Sequence, residues 1–366
     1  MKKKLLIIAG IIAIIVVGIY AFRPVQKSND QQPVVKIGVV LPLTGNSSTF
    51  GQAYKRGFSL AEEDINRNAK LKYEIIIEDI ADNTKNVPIV AQKFINFDKV
   101  KAIISIFDPT ANVIAPMASN ADVLHIGASW FPNYLKYPHN YNVNASMEEE
   151  TQLLVDKALK ENYKNVVLFT VNQTGFINGT EILKQKLKEA DISVCEEINF
   201  NFGERDFKTQ IFHINKKCNP DLYIIGAFPP ESDLLIKQLR EVVGKDVNIT
   251  GLELGLNVSS AADGYWYSAS VYPDEGFIAR LKEKFGDVDF ISYSGMGYAE
   301  LLMLVEAFEN AATEGNIPSA EKVSNQLRGK YFDTVFGKLH IQENGKIDIP
   351  ATLFQAENGV SLEMKE

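Results

Sequence analysis

The sequence predicts two α/β lobes, each a doubly wound, Rossmann-like parallel sheet, and three observations carry that prediction. From Val34 onward short apolar runs alternate with amphipathic segments, the pattern of repeated βαβ units. The pattern runs through one series, then starts again at Glu148. The chain has 366 residues, more than one hydrophobic core usually organises.

In the first series Val34–Leu41 reads as a strand, and Tyr54, Phe58, Ala61 and Ile65 form one helical stripe after it. A strand over 73–77, a helix over 87–97, a strand over 102–106, a helix over 111–120 and a strand over 123–126 follow. The second series has strands over 166–169, 192–198, 222–225 and 247–250, separated by helices over 177–189, 207–215 and 232–243. Helices over 277–285 and 293–312 come next, the second stopping at Gly315. Late in the chain, Glu343-Asn344-Gly345-Lys346 between apolar runs over 335–341 and 347–354 reads as a hairpin turn.

Composition narrows the function. The net charge is −8, with 46% hydrophobic and 23% charged residues, and no Lys/Arg cluster lies beyond the extreme N-terminus, which argues against a nucleic-acid surface. Cys195 and Cys218 form no CxxC pair, so zinc and redox-motif chemistry have little support; a single disulfide outside the cell is open. Lys2, Lys3 and Lys4 precede the uncharged run Leu5–Phe22, the order of an export segment. The run is long enough to span a bilayer and ends without a clear small-x-small cleavage site, so 1–22 is expected as a signal or uncleaved anchor. Residues 23–33, polar with two prolines, read as a tether, which places the rest in the cell envelope outside the cytoplasm.

The stretch Lys36-Ile37-Gly38-Val39-Val40-Leu41-Pro42-Leu43-Thr44-Gly45, then Phe50-Gly51 and Glu62-Glu63-Asp64-Ile65-Asn66, resembles the opening of the leucine/isoleucine/valine-binding family of type I periplasmic binding proteins. Glu78-Asp79, the turn around 104–110, Asp206-Phe207, Pro220-Asp221 and the segment from Phe336-Gly337 to Gly345 recur there in the same order. The resemblance covers Val34 to the C-terminus. It implies a first lobe from 34–143 and 267–334, a second from 144–266 and 335–366, and a hinge of three crossover strands.

The candidate contacts are tied to that resemblance. Thr110 follows Pro109 at a predicted helix start, where a hydroxyl and free N–H groups suit a carboxylate or simply cap the helix. The family holds the ligand carboxylate here, although Asp108-Pro109-Thr110 replaces its usual paired serines. Ala128, Ser129 and Trp130 follow a strand at the sheet edge where open α/β folds bind ligands. Phe50 occupies the family's side-chain pocket position, and Glu253 in Gly251-Leu252-Glu253 matches a Gly-x-Glu that meets an α-ammonium group. Phe176 and Phe228 stand in loops where amino-acid binders often carry tyrosine; losing two phenol hydroxyls leaves open a more apolar ligand, a ligand that is not an amino acid, or two apolar loop tips that meet on lobe closure.

An enzyme is not expected. His125, His139, His213 and His340 are scattered, with no HExxH or GxSxG motif, and His125 sits in a predicted apolar strand as a buried structural residue. Glu148-Glu149-Glu150 suits a helix start, and Gly295-Met296-Gly297 lacks the context of a nucleotide loop. The expectation is therefore a monomeric extracytoplasmic solute-binding protein. It needs no cofactor, captures a small polar, amino-acid-like solute by hinge closure and docks on an ABC permease. The alternative is a sensory ectodomain signalling to a membrane receptor.

Overall fold

The computed structural model describes residues 33–252, 262–313 and 316–364. The expected anchor 1–22, the tether 23–33 apart from Pro33, Glu253 and the helix stop at Gly315 lie outside the described residues. Among the described residues no helix is long and apolar enough to cross a membrane.

The first sheet contains β1 (Val34–Leu41), β2 (Lys72–Asp79), β3 (Ala102–Ile106), β4 (Leu124–Ala128) and β5 (Asn140–Ala145). These run parallel in the order β5-β4-β3-β1-β2. The Val/Ile-rich runs of β1 and β3 fit a sheet covered on both faces, and β3 and β4 are buried at every position. The connecting helices are α1 (Ser48–Asn68), α2 (Val87–Lys93) and α3 (Asp108–Asn120). The expected helix over 87–97 is split, because a π turn takes over at Phe94–Asp98.

The second sheet repeats the plan. Its strands β6 (Asn165–Val171), β7 (Ser193–Phe200), β8 (Leu222–Gly226), β9 (Ile249–Leu252) and β10 (Trp266–Ser270) lie parallel in the order β10-β9-β8-β6-β7. They alternate with α4 (Met147–Lys160), α5 (Thr174–Glu189), α6 (Lys208–Cys218) and α7 (Glu231–Val242). As expected, Glu148, Glu149 and Glu150 occupy the first turn of α4, where negative charge meets the positive end of the helix dipole. A disulfide joins Cys195 in β7 to Cys218 at the end of α6, with Cα atoms 6.0 Å apart.

After β10 the chain returns to the first sheet through α8 (Glu275–Phe285), α9 (Ile291–Ala311) and α10 (Ala320–Leu327). α9 is apolar around most of its circumference and lies against α1. A Cβ on Gly297 would stand 2.9 Å from the Tyr54 carbonyl, so the Gly295-Met296-Gly297 run serves close helix packing. Across this contact the Tyr298 hydroxyl donates to Asp64 Oδ2 at 2.7 Å, and Arg280 pairs with Asp64 at 3.0 Å.

The tail corrects two expectations. The turn at 343–346 forms, with Gly345 at φ +86°, but it does not join two paired strands. β12 (Gly337–His340) pairs instead with β11 (Tyr331–Thr334), and β13 (Lys346–Ile349) pairs in parallel with β5. Pro350, which has no N–H for a ladder, then separates β13 from β14 (Ala351–Glu357), which pairs with β10; β15 (Val360–Glu363) closes the edge. Residues 346–349, expected with the second lobe, therefore complete the first sheet, and 267–270, expected with the first, belong to the second. The chain passes between the sheets three times, after Ala145, after Ser270 and at Pro350.

Candidate functional site

Both sheets have the strand order 2-1-3-4-5, which reverses between the first strand of each and the third. Ligands of open α/β sheets bind outside the carboxyl ends of the strands at this reversal, where neighbouring loops diverge. In the first sheet the diverging loops follow β1 and β3 and carry Phe50, Phe107 and Asp108; in the second they follow β6 and β8 and carry Gln173, Phe176 and Phe228. The two reversals face each other: the rings of Phe50 and Phe228 are 4.5 Å apart.

Around that contact the aromatic side chains form one cluster. Trp130 lies 5.3 Å from Phe176 and stacks on Phe228 at 6.1 Å, while Phe50 also meets Phe107, Phe290 and Tyr293. Two spaces adjoin it. A cleft of about 440 Å³ is bounded by Ser47, Phe50, Asp82, Thr110, Arg205 and Glu231, among others. Deeper in, a cavity of about 20 Å³ lies against Asp108, Ala128, Ser129, Trp130, Gln173, Phe228 and Tyr293, room for about one water.

The loop after β3 is shaped by an unusual backbone. Phe107 adopts φ +69°, ψ 142°, a region sparsely populated by side-chain-bearing residues and worth roughly 1–3 kcal/mol of strain. Its N–H donates to the Ala128 carbonyl at 2.8 Å, which joins this loop to the one after β4. Asp108 then opens α3, and Pro109, whose missing N–H has no helical partner to lose, is accommodated in the first turn. α3 therefore starts three residues earlier than expected, and Thr110, 2% exposed, lies within the first turn instead of capping it.

Asp108 is the residue that holds the site's deep wall. Its Oδ1 accepts from the Ser129 hydroxyl at 2.5 Å and from the Phe131 N–H at 2.9 Å. The carboxyl is 9% exposed, and burial pushes its pKa up while the hydrogen bonds from Ser129 and from backbone N–H groups work against that rise. No Lys, Arg or His pairs with it among the described residues. Behind it the Tyr134 hydroxyl donates to Asn142 Oδ1 at 2.6 Å, and Asn142 Nδ2 donates to the Ser129 carbonyl at 3.1 Å, so the Ser129 loop is fixed from both sides.

The first βα loop is held in the same way. Asp79 accepts from the backbone of Leu43 at 2.8 Å and Ala81 at 2.7 Å and from the Thr44 hydroxyl at 2.7 Å. Burial opposes ionisation, yet these hydrogen bonds keep the carboxyl below its ordinary range. Gly51 is required after Phe50 because a Cβ there would collide with the Pro42 carbonyl.

Of the sequence-derived candidates, Phe50, Ala128, Ser129, Trp130 and Phe228 come together at the two spaces, and Thr110 borders the larger one. Phe176 is fully buried behind Trp130 and Phe228, so it supports the wall without lining it. The sequence reading left out Phe107, Asn144, Gln173 and Tyr293, and named Asp108 only as a departure from a serine pair. Gln173 and Tyr293 carry no local signal: one looks like a helix-start polar residue, the other like part of an apolar stripe.

His125 has the partners of a catalytic histidine without its access. Its Nε2 accepts from the Ser105 hydroxyl at 2.8 Å and its Nδ1 donates to Asn140 Oδ1 at 2.7 Å, the tautomer this network dictates. Ser105, His125 and Asn140 are all fully buried, and burial lowers the His125 pKa to about 4, so the ring is neutral and meets no solute.

Comparison with known proteins agrees with this architecture. The family model described as periplasmic binding protein matches residues 34–360. A Leu/Ile/Val-binding protein homolog 2 from Brucella abortus (strain 2308) is 26% identical over 380 residues, covering 98% of this chain and 97% of that protein. The leucine-, isoleucine-, valine-, threonine-, and alanine-binding protein of Pseudomonas aeruginosa is 25% identical, over 86% of this chain and 87% of its own. The leucine binding protein LivK of Thermotoga maritima superposes with a TM-score of 0.80 at 23% identity, over 90% of this chain and 98% of its own. A solute-binding protein of an ABC transporter from Rhodopseudomonas palustris, in complex with 3,4-dihydroxy benzoic acid, gives 0.79 at 20% identity, over 90% and 96%. The family match and the relatives make this a solute-binding protein and not an enzyme. The chain belongs to the periplasmic binding protein family.

Proposed function

We propose that the protein captures a small polar solute, an amino acid or a related compound, by closure of its two lobes, and presents the closed form to an ABC permease. One observation carries this reading: two strand-order reversals face each other, and their aromatic residues meet beside a cleft whose rim mixes apolar, polar and charged side chains. Three crossings between the sheets give the hinge, and the first lobe consists of 34–145 with 271–349. Phe50, Ala128, Ser129, Trp130 and Phe228 line the ligand, with Thr110 at the entrance.

The cavity of about 20 Å³ is too small for any such solute, so the lobes part to admit it. Closure must then be favoured by several kcal/mol of ligand contact drawn from both lobes. Relatives named for leucine, isoleucine and valine and a neighbour bound to an aromatic acid both support a compact solute with an apolar body. Native mass spectrometry of the protein purified without denaturation tests the reading. A co-purified small molecule that is lost on unfolding and refolding is expected. Protein that never carries or regains a solute, from extracts of any growth medium, contradicts it.

A further inference from the structure

Resting on that reading of the cleft, we propose that the solute carries a cationic alkylammonium head, of the choline class, seated between Trp130, Phe228 and Tyr293 against the carboxylate of Asp108. The deep cavity brings together three elements that suit such a group. Aromatic rings line it from both lobes: Trp130 and Phe228 lie nearly parallel, 24° between planes with centroids 6.1 Å apart, so an alkylammonium head enters between them only when the lobes part and the rings spread, and Tyr293 and Phe107 line the same cavity. Aromatic faces attract alkylated ammonium ions, which shed water far more easily than a primary ammonium does.

At its end stands Asp108, buried and without a cationic partner among the described residues. Oδ1 is committed to Ser129 and Phe131, which fixes the carboxylate's direction and keeps it in place when the lobes part, since both donors belong to the loop after β4. A buried carboxylate beside aromatic rings repels a carboxylate ligand and gains from a cation. The charges around the outer cleft agree: Asp82 and Glu231 oppose the single cation Arg205 among its described lining residues.

The third element is an unmet donor. Trp130 Nε1 is buried with no acceptor among the described residues, and a hydroxyl or ether oxygen near the ammonium would satisfy it. Gln173 and Asn144, also at the cavity, supply neutral donors and acceptors for the same oxygen. An aliphatic amino acid uses neither the ring faces nor this geometry as fully.

The test compares four compounds by calorimetry on the full chain, stripped of endogenous solute by unfolding and refolding. These are choline, its neutral isostere 3,3-dimethyl-1-butanol, leucine and benzoate. Choline is expected to bind, and the neutral isostere to bind at least about tenfold more weakly, because only the charge differs. Asp108→Asn keeps an acceptor for Ser129 and Phe131, and is expected to weaken choline about tenfold or more while leaving the isostere's affinity in place. In a Trp266→Phe background, where Trp130 is the only tryptophan, choline is expected to change its emission. Equal binding of choline and its isostere overturns the proposal without recourse to any variant. Binding of leucine or benzoate in place of choline overturns it and leaves solute capture standing. If none of the four binds and no solute ever co-purifies, both readings fall.

Discussion

Gly175 offers a way to perturb closure without touching the ligand. It lies in the first turn of α5 in the second lobe, and a Cβ built on it would stand 2.8 Å from Trp130 Cε3 and 3.1 Å from Cζ3, in the first. Its φ is not positive, so alanine strains no backbone, and in a helix it is favoured over glycine by about 1 kcal/mol. With the lobes apart the methyl meets no indole and keeps only a contact with the flexible Gln173 side chain, 3.1 Å from Oε1; with them together it overpacks Trp130, at a cost of about 1–3 kcal/mol. Gly175→Ala is therefore expected to leave or slightly raise the melting temperature of the ligand-free protein and to weaken solute binding about five- to 150-fold. Calorimetry with the co-purified solute, paired with thermal melts, reads both effects. Unchanged affinity would show that Gly175 and Trp130 do not meet in the bound form and would refute the argument for closure onto Trp130.

Three further outcomes follow from buried or cross-linked groups. Reducing the Cys195–Cys218 disulfide, or replacing both cysteines by serine, frees a 23-residue loop and is expected to cost about 3 kcal/mol in denaturant unfolding; an unchanged midpoint would show that the bond does not form. His125, with a folded pKa near 4 against about 6.5 unfolded, takes up its proton only on unfolding between those values. Stability is accordingly full above pH 6.5 and falls by on the order of 3 kcal/mol as pH drops to 4, a slope that His125→Gln should abolish and that an identical slope in the variant would disprove. Glu300, fully buried with neither carboxyl oxygen hydrogen-bonded among the described residues, has its pKa raised well above normal by burial. The native state keeps that proton while the unfolded chain releases it, so stability falls as pH rises above the unfolded value. Glu300→Gln should match the wild type near pH 4 and exceed it at pH 7; a less stable variant at pH 7 would indicate a required charge.

What could be foreseen depended on how local the signal was. Apolar runs such as Ala102–Ile106 and Leu222–Gly226 are buried at every position, and that continuous burial is visible as composition. β5 was missed because Asn140-Tyr141-Asn142-Val143-Asn144-Ala145 alternates with asparagine, a poor strand former. Asn140 and Asn142 are tolerated inside only because His125, Ser119, Tyr134 and Ser129 satisfy their amides. The turn around Gly345 was legible from its own residues, whereas the partner of β13 is β5, some two hundred positions away, and is chosen by tertiary packing.

The same limit applies to the site. Phe50 and Trp130 were legible through the motifs around them, but Asp108 becomes a buried, oriented carboxylate only when Ser129 and Phe131 reach it from another loop. Tyr293 and Phe290 join Phe50 from the far end of the chain, and nothing near them in sequence marks that meeting. Glu253, expected to hold an ammonium group, lies outside the described residues, while Asp108 offers a carboxylate from the first lobe.

The central claim, that two sheets swing together around a guest, is tested most directly by small-angle X-ray scattering of one preparation before and after stripping its solute. The account predicts that the stripped protein has the larger radius of gyration and contracts when the solute is returned. Superimposable profiles in both states, with binding confirmed in the same sample, would contradict it.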